Sequence, residues 1–302
     1  MSGLSQDRTS GSSDVALEFL RALERWAGTD RSTRAPELRA ALLQFLRASQ
    51  AEQPSMALVH QLAARALEVA DAGVRRADTA PALREQIAAS CAAERTDLEA
   101  AQRDAASMAE KLLPASNAWV ATLSSSGAVR EALLRAQADG RRPRALIGEG
   151  RPRFEGRELA RALAAAGVPT WLVVDAALPL LLSQCAMLWI GADAVTERGV
   201  LNKIGSYGAA LAAREASVPL YAVATRRKFL PAATAALRID EMPPEEVWSD
   251  APETVKPRNV YFELVPLELF RGIVVEDGVL GVTEAATLAR ERPLPPELAA
   301  AL

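Results

Sequence analysis

Two cysteines and one histidine are all that 302 residues contain. Cys91 and Cys185 are too few for a disulfide framework, and with His60 alone beside them they supply no zinc site. No metal or cofactor is therefore expected. A formal net charge of −3 argues against nonspecific nucleic-acid binding, which needs a strongly basic surface. No apolar run approaches the roughly 18 residues that would span a bilayer, and "LPLLLSQCAMLWIGA" is short and broken by polar residues. The opening "MSGLSQDRTSGSSD" lacks the apolar core of a signal peptide. The chain is expected to be cytoplasmic. What is present is ordinary globular material, 50% apolar and 24% charged.

Residues 1–13 are rich in Ser and Gly and are expected to be a disordered tail. From 14 to 115 every periodic segment has helical spacing, which predicts a helical N-terminal domain. "DVALEFLRALERWAG" puts Val15, Phe19, Leu20, Leu23 and Trp26 on one face. The segment 81–113 repeats Leu83, Ile87, Cys91, Leu98, Ala105 and Met108 at the same period. Pro81 suits the first turn of that helix and Pro114 marks its end. At 1.5 Å per residue it spans roughly 50 Å, enough to brace a second domain. Cys91 falls on its buried stripe and reads as structural.

After Pro114 the register changes. "AWVATL", "RALIGE", "TWLVVD", "AMLWIG" and "PLYAVA" are short apolar runs separated by helical patterns. That alternation predicts a parallel sheet covered by helices over residues 116–302. The segment 259–279 is expected to add a strand, a helix and a turn. Residues 240–256, acidic and Pro-rich, are expected to form an exposed loop. In open α/β sheets ligands bind beyond the carboxyl ends of the strands, so the residues at those ends are the candidates for chemistry.

"SSSG" (124–127) follows the first run, Glu149 and Arg151 in "EGRPRFEG" the second, and Asp175 the third. Asp193 follows the fourth, and Lys228 in "TRRKF" follows the fifth. The serines have an alternative reading as helix caps. "GEGRPRFEG" lacks GxGxxG spacing, which rejects a dinucleotide site. His60 reads as a satisfied structural histidine and Cys185 as a core residue. The most distinctive stretch is "GADAVTERGVLNKIGSYGAALAAR" (191–214). Gly205 and Ser206 open a helix whose free N–H groups suit a phosphate, with Lys203 and Asn202 alongside. Asp193 is placed to move a proton on a bound hydroxyl or ring oxygen.

"GADAVTERGVLNKIGSY" resembles the hallmark of the translation initiation factor 2B alpha/beta/delta superfamily, which includes methylthioribose-1-phosphate and ribose-1,5-bisphosphate isomerases. "QPSMALV", "EGRPRFEG", "VVDAA", "RKFLP" and "NVYFELVPLELFRGIVVEDGV" agree with it in order. The resemblance implies an α/β fold, with a helical N-terminal domain followed by a Rossmann-like parallel-sheet C-terminal domain. It also implies homodimers or higher homo-oligomers, with 259–279 at the subunit contact. It assigns Asp193 as the acid, and Asn202, Lys203, Arg151 and Glu149 as ligand-holding residues. The isomerases pair that acid with a Cys, whereas here Ser124 stands at the Cys position. An alcohol is a far weaker acid than a thiol.

Three readings follow. The chain binds a phosphorylated sugar or nucleotide without efficient isomerisation. It is an aldose–ketose isomerase in which Asp193 works with Ser124 or Ser126. Or it is a regulatory subunit with a translation-factor partner. The candidate site is Asp193 and Ser124 for chemistry, with Glu149, Arg151, Asn202, Lys203, Gly205, Ser206 and Lys228 for binding.

Overall fold

The structure is a computed structural model describing residues 11–114, 116–234 and 237–300. Four helices come first: α1 (Ser12–Thr29), α2 (Ala35–Glu52), α3 (Ala57–Arg75) and α4 (Ala80–Lys111). Helix α1 opens inside the segment expected to be disordered. Ser12 is buried because its hydroxyl has partners deep in the molecule, described below. Residues 1–10 lie outside the described residues.

Helix α4 runs for 32 residues, with Thr79 capping Ala82 N–H and Pro81 in the first turn. Its length, about 48 Å, carries it through two cores. Leu83, Ile87, Cys91 and Leu98 pack among the helices, with Phe19, Leu42 and Leu62. Ala105, Ala106 and Ala109 pack against the sheet, with Val120, Ile147 and Trp189. Small alanines at that end allow the helix to lie close over the strands.

The sheet strands are β1 (Trp119–Leu123), β2 (Arg144–Gly148), β3 (Thr170–Val173), β4 (Met187–Ile190), β7 (Leu220–Val223), β9 (Gly272–Val275) and β10 (Gly278–Leu280). Between β4 and β7 come β5 (Ala194–Thr196) and β6 (Gly199–Lys203), and β8 (Phe262–Pro266) precedes β9. The covering helices are α5 (Gly127–Ala138), α6 (Glu155–Ala165), α7 (Leu178–Leu181), α8 (Ser206–Glu215), α9 (Val282–Arg290) and α10 (Pro296–Ala299). Sheet order is β10-β9-β7-β4-β1-β2-β3. Every pairing is parallel except the β9–β10 hairpin. This is the helix-then-α/β architecture that the sequence implies.

Chain order reverses between β1 and β4, with β2 and β3 on one side and β7 and β9 on the other. Crossovers diverge there and open a crevice beyond the strand ends. A second, antiparallel sheet β5-β6-β8 sits beside it. Asn202 and Lys203 end strand β6. One expectation needs correction. The segment 259–279 forms β8, a 3-10 turn (Leu267–Leu269) and β9, without an α-helix. The run between β8 and β9 is too short for one, and Pro266 stands immediately before it.

Candidate functional site

The loops after β1 and β4 meet a cavity of about 270 Å³. Leu123 to Ala128 form one wall, Gly191 to Asp193 another, and Asn202, Lys203 and Lys228 reach in from β6 and the turn after β7. The helical domain adds Gly11 to Val15 at the start of α1, residues 51–56 ahead of α3 and Gln102 of α4, and Glu155, Asp240, Met242, Tyr261 and Phe262 complete the lining. Two helices, α1 and α5, therefore present their N-terminal turns to the same space. Their partial positive charges favour an anion. Two buried ammonium groups, Lys203 and Lys228, act in the same direction.

Asp193 is tied in place by its backbone. Its N–H donates to Leu201 carbonyl at 2.8 Å, and its carbonyl accepts from Ala57 N–H at 3.0 Å, which joins the sheet to α3. Burial holds its carboxyl above the ordinary aspartate range. Lys228, Lys203 and a hydrogen bond with Ser12 oppose that shift, while Glu155 adds to it. Lys228 donates to Ser12 Oγ at 2.8 Å and to Ala192 carbonyl at 2.6 Å. Burial pulls its pKa down, against the attraction of Asp193 and Asp14.

Glu155, which sequence reasoning passed over, lies at the centre of the site. It is the first residue of α6, is 5% exposed and lines the cavity. Its Oε1 accepts from Lys203 Nζ at 2.7 Å, and its Oε2 accepts from Ser124 Oγ at 3.4 Å. Lys203 also lies over the rings of Tyr261 and Phe262, at 4.6 and 5.5 Å from their centroids. Ser124 adopts the left-handed conformation, with φ of 62°, which is uncommon for a residue with a side chain. Ser126 caps α5, accepting from Val129 N–H.

Of the residues expected to form the site, the structure brings Ser124, Asp193, Asn202, Lys203 and Lys228 to one cavity. Glu149, Arg151, Gly205 and Ser206 are not on its wall. Glu149 pairs with Arg157 at 2.8 Å. Arg151 is exposed and lies over Phe154. Strand β2 stands one place from the reversal, so its first loop residues turn away. Asp175 grips that loop through Gly150 N–H and Arg151 N–H, at 2.8 and 2.7 Å, and the chain re-enters the cavity only at Glu155.

The helix start at Gly205 is also occupied from within. Tyr207 N–H donates to Glu263 Oε1 at 2.8 Å. Ser206 Oγ donates to Lys203 carbonyl at 2.6 Å and accepts from Asn202 Nδ2 at 2.9 Å. Gly205 supplies the left-handed turn, at φ of 97°, that this capping needs. The anion seat expected at α8 is filled by a carboxylate of the same chain. Helices α1 and α5 are among those whose first turns face the cavity instead. Ser12 and Glu155 were the residues missed: one sits at the end of an apparently featureless Ser/Gly tract, the other inside a motif whose Arg and first Glu drew attention.

The two cysteines and the histidine stand apart from this site. His60 is fully buried, bonded to Gln50 and to Pro54 carbonyl. Cys91 and Cys185 are buried thiols. Among the described residues no three His, Cys, Asp or Glu side chains form a metal-ligand group. No helix among them is long and apolar enough to cross a membrane.

A helical domain closing over the reversal point of a parallel sheet, with paired acids and ammonium groups between them, defines the class of protein. Residues 8–282 match the Initiation factor 2 subunit family, and the chain belongs to that family. It is 32% identical to the ribose 1,5-bisphosphate isomerase of Archaeoglobus fulgidus over 203 residues, covering 65% of this chain and 64% of that protein. It is 36% identical over 152 residues to a putative methylthioribose-1-phosphate isomerase of Methanothermobacter thermautotrophicus, covering 47% and 49%. The chain thus spans less than two thirds of the length of either relative. Its fold superimposes on the crystal structure of the Pyrococcus horikoshii OT3 translation initiation factor eIF-2B with a TM-score of 0.77 at 26% identity, over 92% of this chain and 94% of that one.

Proposed function

We propose that the cavity binds a small phosphorylated sugar or nucleotide. The observation that carries this reading is the convergence of Lys203, Lys228 and the first turns of α1 and α5 on one cavity. The relative named ribose 1,5-bisphosphate isomerase supports the same ligand class. Ser124 by itself is a poor substitute for a thiol, so turnover that depended on its ionisation would be slow. Calorimetric titration with ribose 1,5-bisphosphate, methylthioribose 1-phosphate and adenosine monophosphate tests binding. At least one is expected to bind, and Lys228→Gln to weaken it by about tenfold or more through loss of a buried charge. Absence of binding by all three sinks the reading.

A second reading, isomerisation of an aldose 1-phosphate, is favoured by the pair of acids. Burial helps Asp193 retain its proton while a second carboxylate, Glu155, faces the same cavity. Such a pair supplies an acid and a base together.

For assembly, we propose a homodimer built on the β3 edge. Trp171, Leu172 and Val174 are exposed there, at 47%, 43% and 58%. Strand β3 ends the seven-stranded sheet, and three large apolar side chains at one edge mark an interaction face. Sedimentation of wild type against Val174→Glu tests it. A dimer that becomes a monomer is expected, and a wild-type monomer at micromolar concentration overturns it.

A further inference from the structure

We propose that Glu155, rather than Ser124, is the proton-transfer base of the cavity. This rests on the reading of the cavity as a phosphosugar site, and adds that the site turns its ligand over.

The Glu155 carboxylate lies beside Ser124, the position at which the resembling isomerases carry a thiol. One oxygen accepts from Ser124 and the other from Lys203. The surrounding chain is threaded tightly enough to hold it there. A side chain at Gly150 would place its first carbon 3.0 Å from Glu155 Oε2 and 3.0 Å from Ser124 Cα. At Gly156 that carbon would stand 2.2 Å from Gly148 carbonyl. The 2.2 Å distance is too short for a real contact, and Gly150 combines tight 3.0 Å distances with a left-handed φ of 75°, so the two glycines let the loop deliver the carboxylate to the end of β1. The left-handed turn at Ser124 is part of the same arrangement.

Chemistry favours the carboxylate over the alcohol. A carboxylate can accept a proton from carbon beside an electron-poor centre. A serine hydroxyl offers no such base. With an aldose 1-phosphate bound, the step balances internally. Protonated Asp193 gives its proton to the ring oxygen as the bond from that oxygen to C1 breaks. Glu155 takes the proton from C2 as the C1–C2 double bond forms. The protonated Glu155 then returns that proton to C1, while the C2 hydroxyl gives its proton to the Asp193 carboxylate and becomes a carbonyl. C1 is reduced, C2 is oxidised, and both acids end as they began. Ser124 is a positioning residue that orients the carboxylate through one hydrogen bond.

The test uses the full chain with methylthioribose 1-phosphate and with ribose 1,5-bisphosphate. Ketose formation is followed by NMR, and affinity is measured separately by calorimetry. Glu155→Gln is expected to lower turnover by about 1000-fold while changing affinity less than about tenfold. Ser124→Ala is expected to cost about tenfold in turnover. Glu155→Asp, which keeps the carboxylate but retracts it by one methylene, guards against misfolding and is expected to lose about 100-fold. Wild type that binds either sugar without forming ketose overturns this proposal and leaves the binding reading standing. So does turnover that survives Glu155→Gln but vanishes in Ser124→Ala. Failure to bind any of the phosphorylated ligands removes both.

Discussion

Lys203 and Glu155, 48 positions apart in the chain, meet at 2.7 Å with both side chains less than a tenth exposed. Strand β6 brings one and the first turn of α6 the other, so the pair ties the small antiparallel sheet to the α/β domain. Removing one member of such a pair costs about 3–5 kcal/mol, because it orphans a buried charge. The two sides are unequal. Lys203→Met leaves Glu155 with only Ser124 and is expected to cost about 3 kcal/mol in urea unfolding. Glu155→Gln keeps an acceptor oxygen for Lys203, which also retains two aromatic rings, and is expected to cost less. The double variant should recover much of the Lys203→Met loss. Simple additivity of the two costs would contradict this account.

His60 gives stability a pH dependence. Desolvation lowers its folded pKa to about 4, despite the hydrogen bond to Pro54 carbonyl. Since that carbonyl only accepts, Nε2 carries the proton, and Nδ1 accepts from Gln50. The unfolded value is near 6.5. Between about pH 6.5 and 4 the unfolded chain binds a proton that the folded chain does not. This contribution is therefore complete above pH 6.5 and is lost as pH falls through the window. Its full size is about 3 kcal/mol. Denaturant melts from pH 7.5 to 4.5 should show the slope, and His60→Gln should flatten it.

Both thiols should be silent in the folded state. Burial pushes Cys91 up to about 12 and Cys185 up to about 11, so neither forms an appreciable thiolate at pH 8. A thiol reagent such as Ellman's is expected to titrate two groups only after denaturation. Rapid labelling of either in native protein would place it outside the core described.

Gly156 provides a backbone test. Gly156→Ala sets a methyl carbon 2.2 Å from Gly148 carbonyl, so the loop ahead of α6 must move. Overpacking of this kind costs about 1–3 kcal/mol. Because Glu155 is the neighbouring residue, phosphosugar affinity or turnover should change with stability. Gly28→Ala, at a helix position with open space around its added carbon, is expected to leave both unharmed and serves as the comparison.

Much of the fold follows from local pattern. The 3.6-residue period of residues 81–113 and the cap chemistry around Pro81 specify α4 without reference to the rest of the chain, because an apolar stripe must be buried wherever the helix packs. Five apolar runs separated by helical segments specify β1, β2, β3, β4 and β7 for a similar reason. Asp193, Lys203, Asn202, Lys228 and Ser124, which line the cavity, were legible as candidates because each lies at a strand end or inside a motif of unusual composition. The segment 259–279 was expected to include a helix, yet the three residues Leu267–Leu269 between two strands cannot complete one.

Other features were decided only in three dimensions. Which helix end faces the cavity depends on which polar group reaches it first. Glu263 reaches α8 from a strand more than fifty residues away, and no local pattern shows that pairing. The same holds for Glu155, whose partners come from β1 and β6, and for Ser12, whose partner Lys228 lies 216 residues on. Residue type and spacing determined that an acid, an ammonium group and a hydroxyl would stand at strand ends. The reversal of strand order between β1 and β4 decided which of them share one cavity, since only there do the crossovers part and leave room for a ligand.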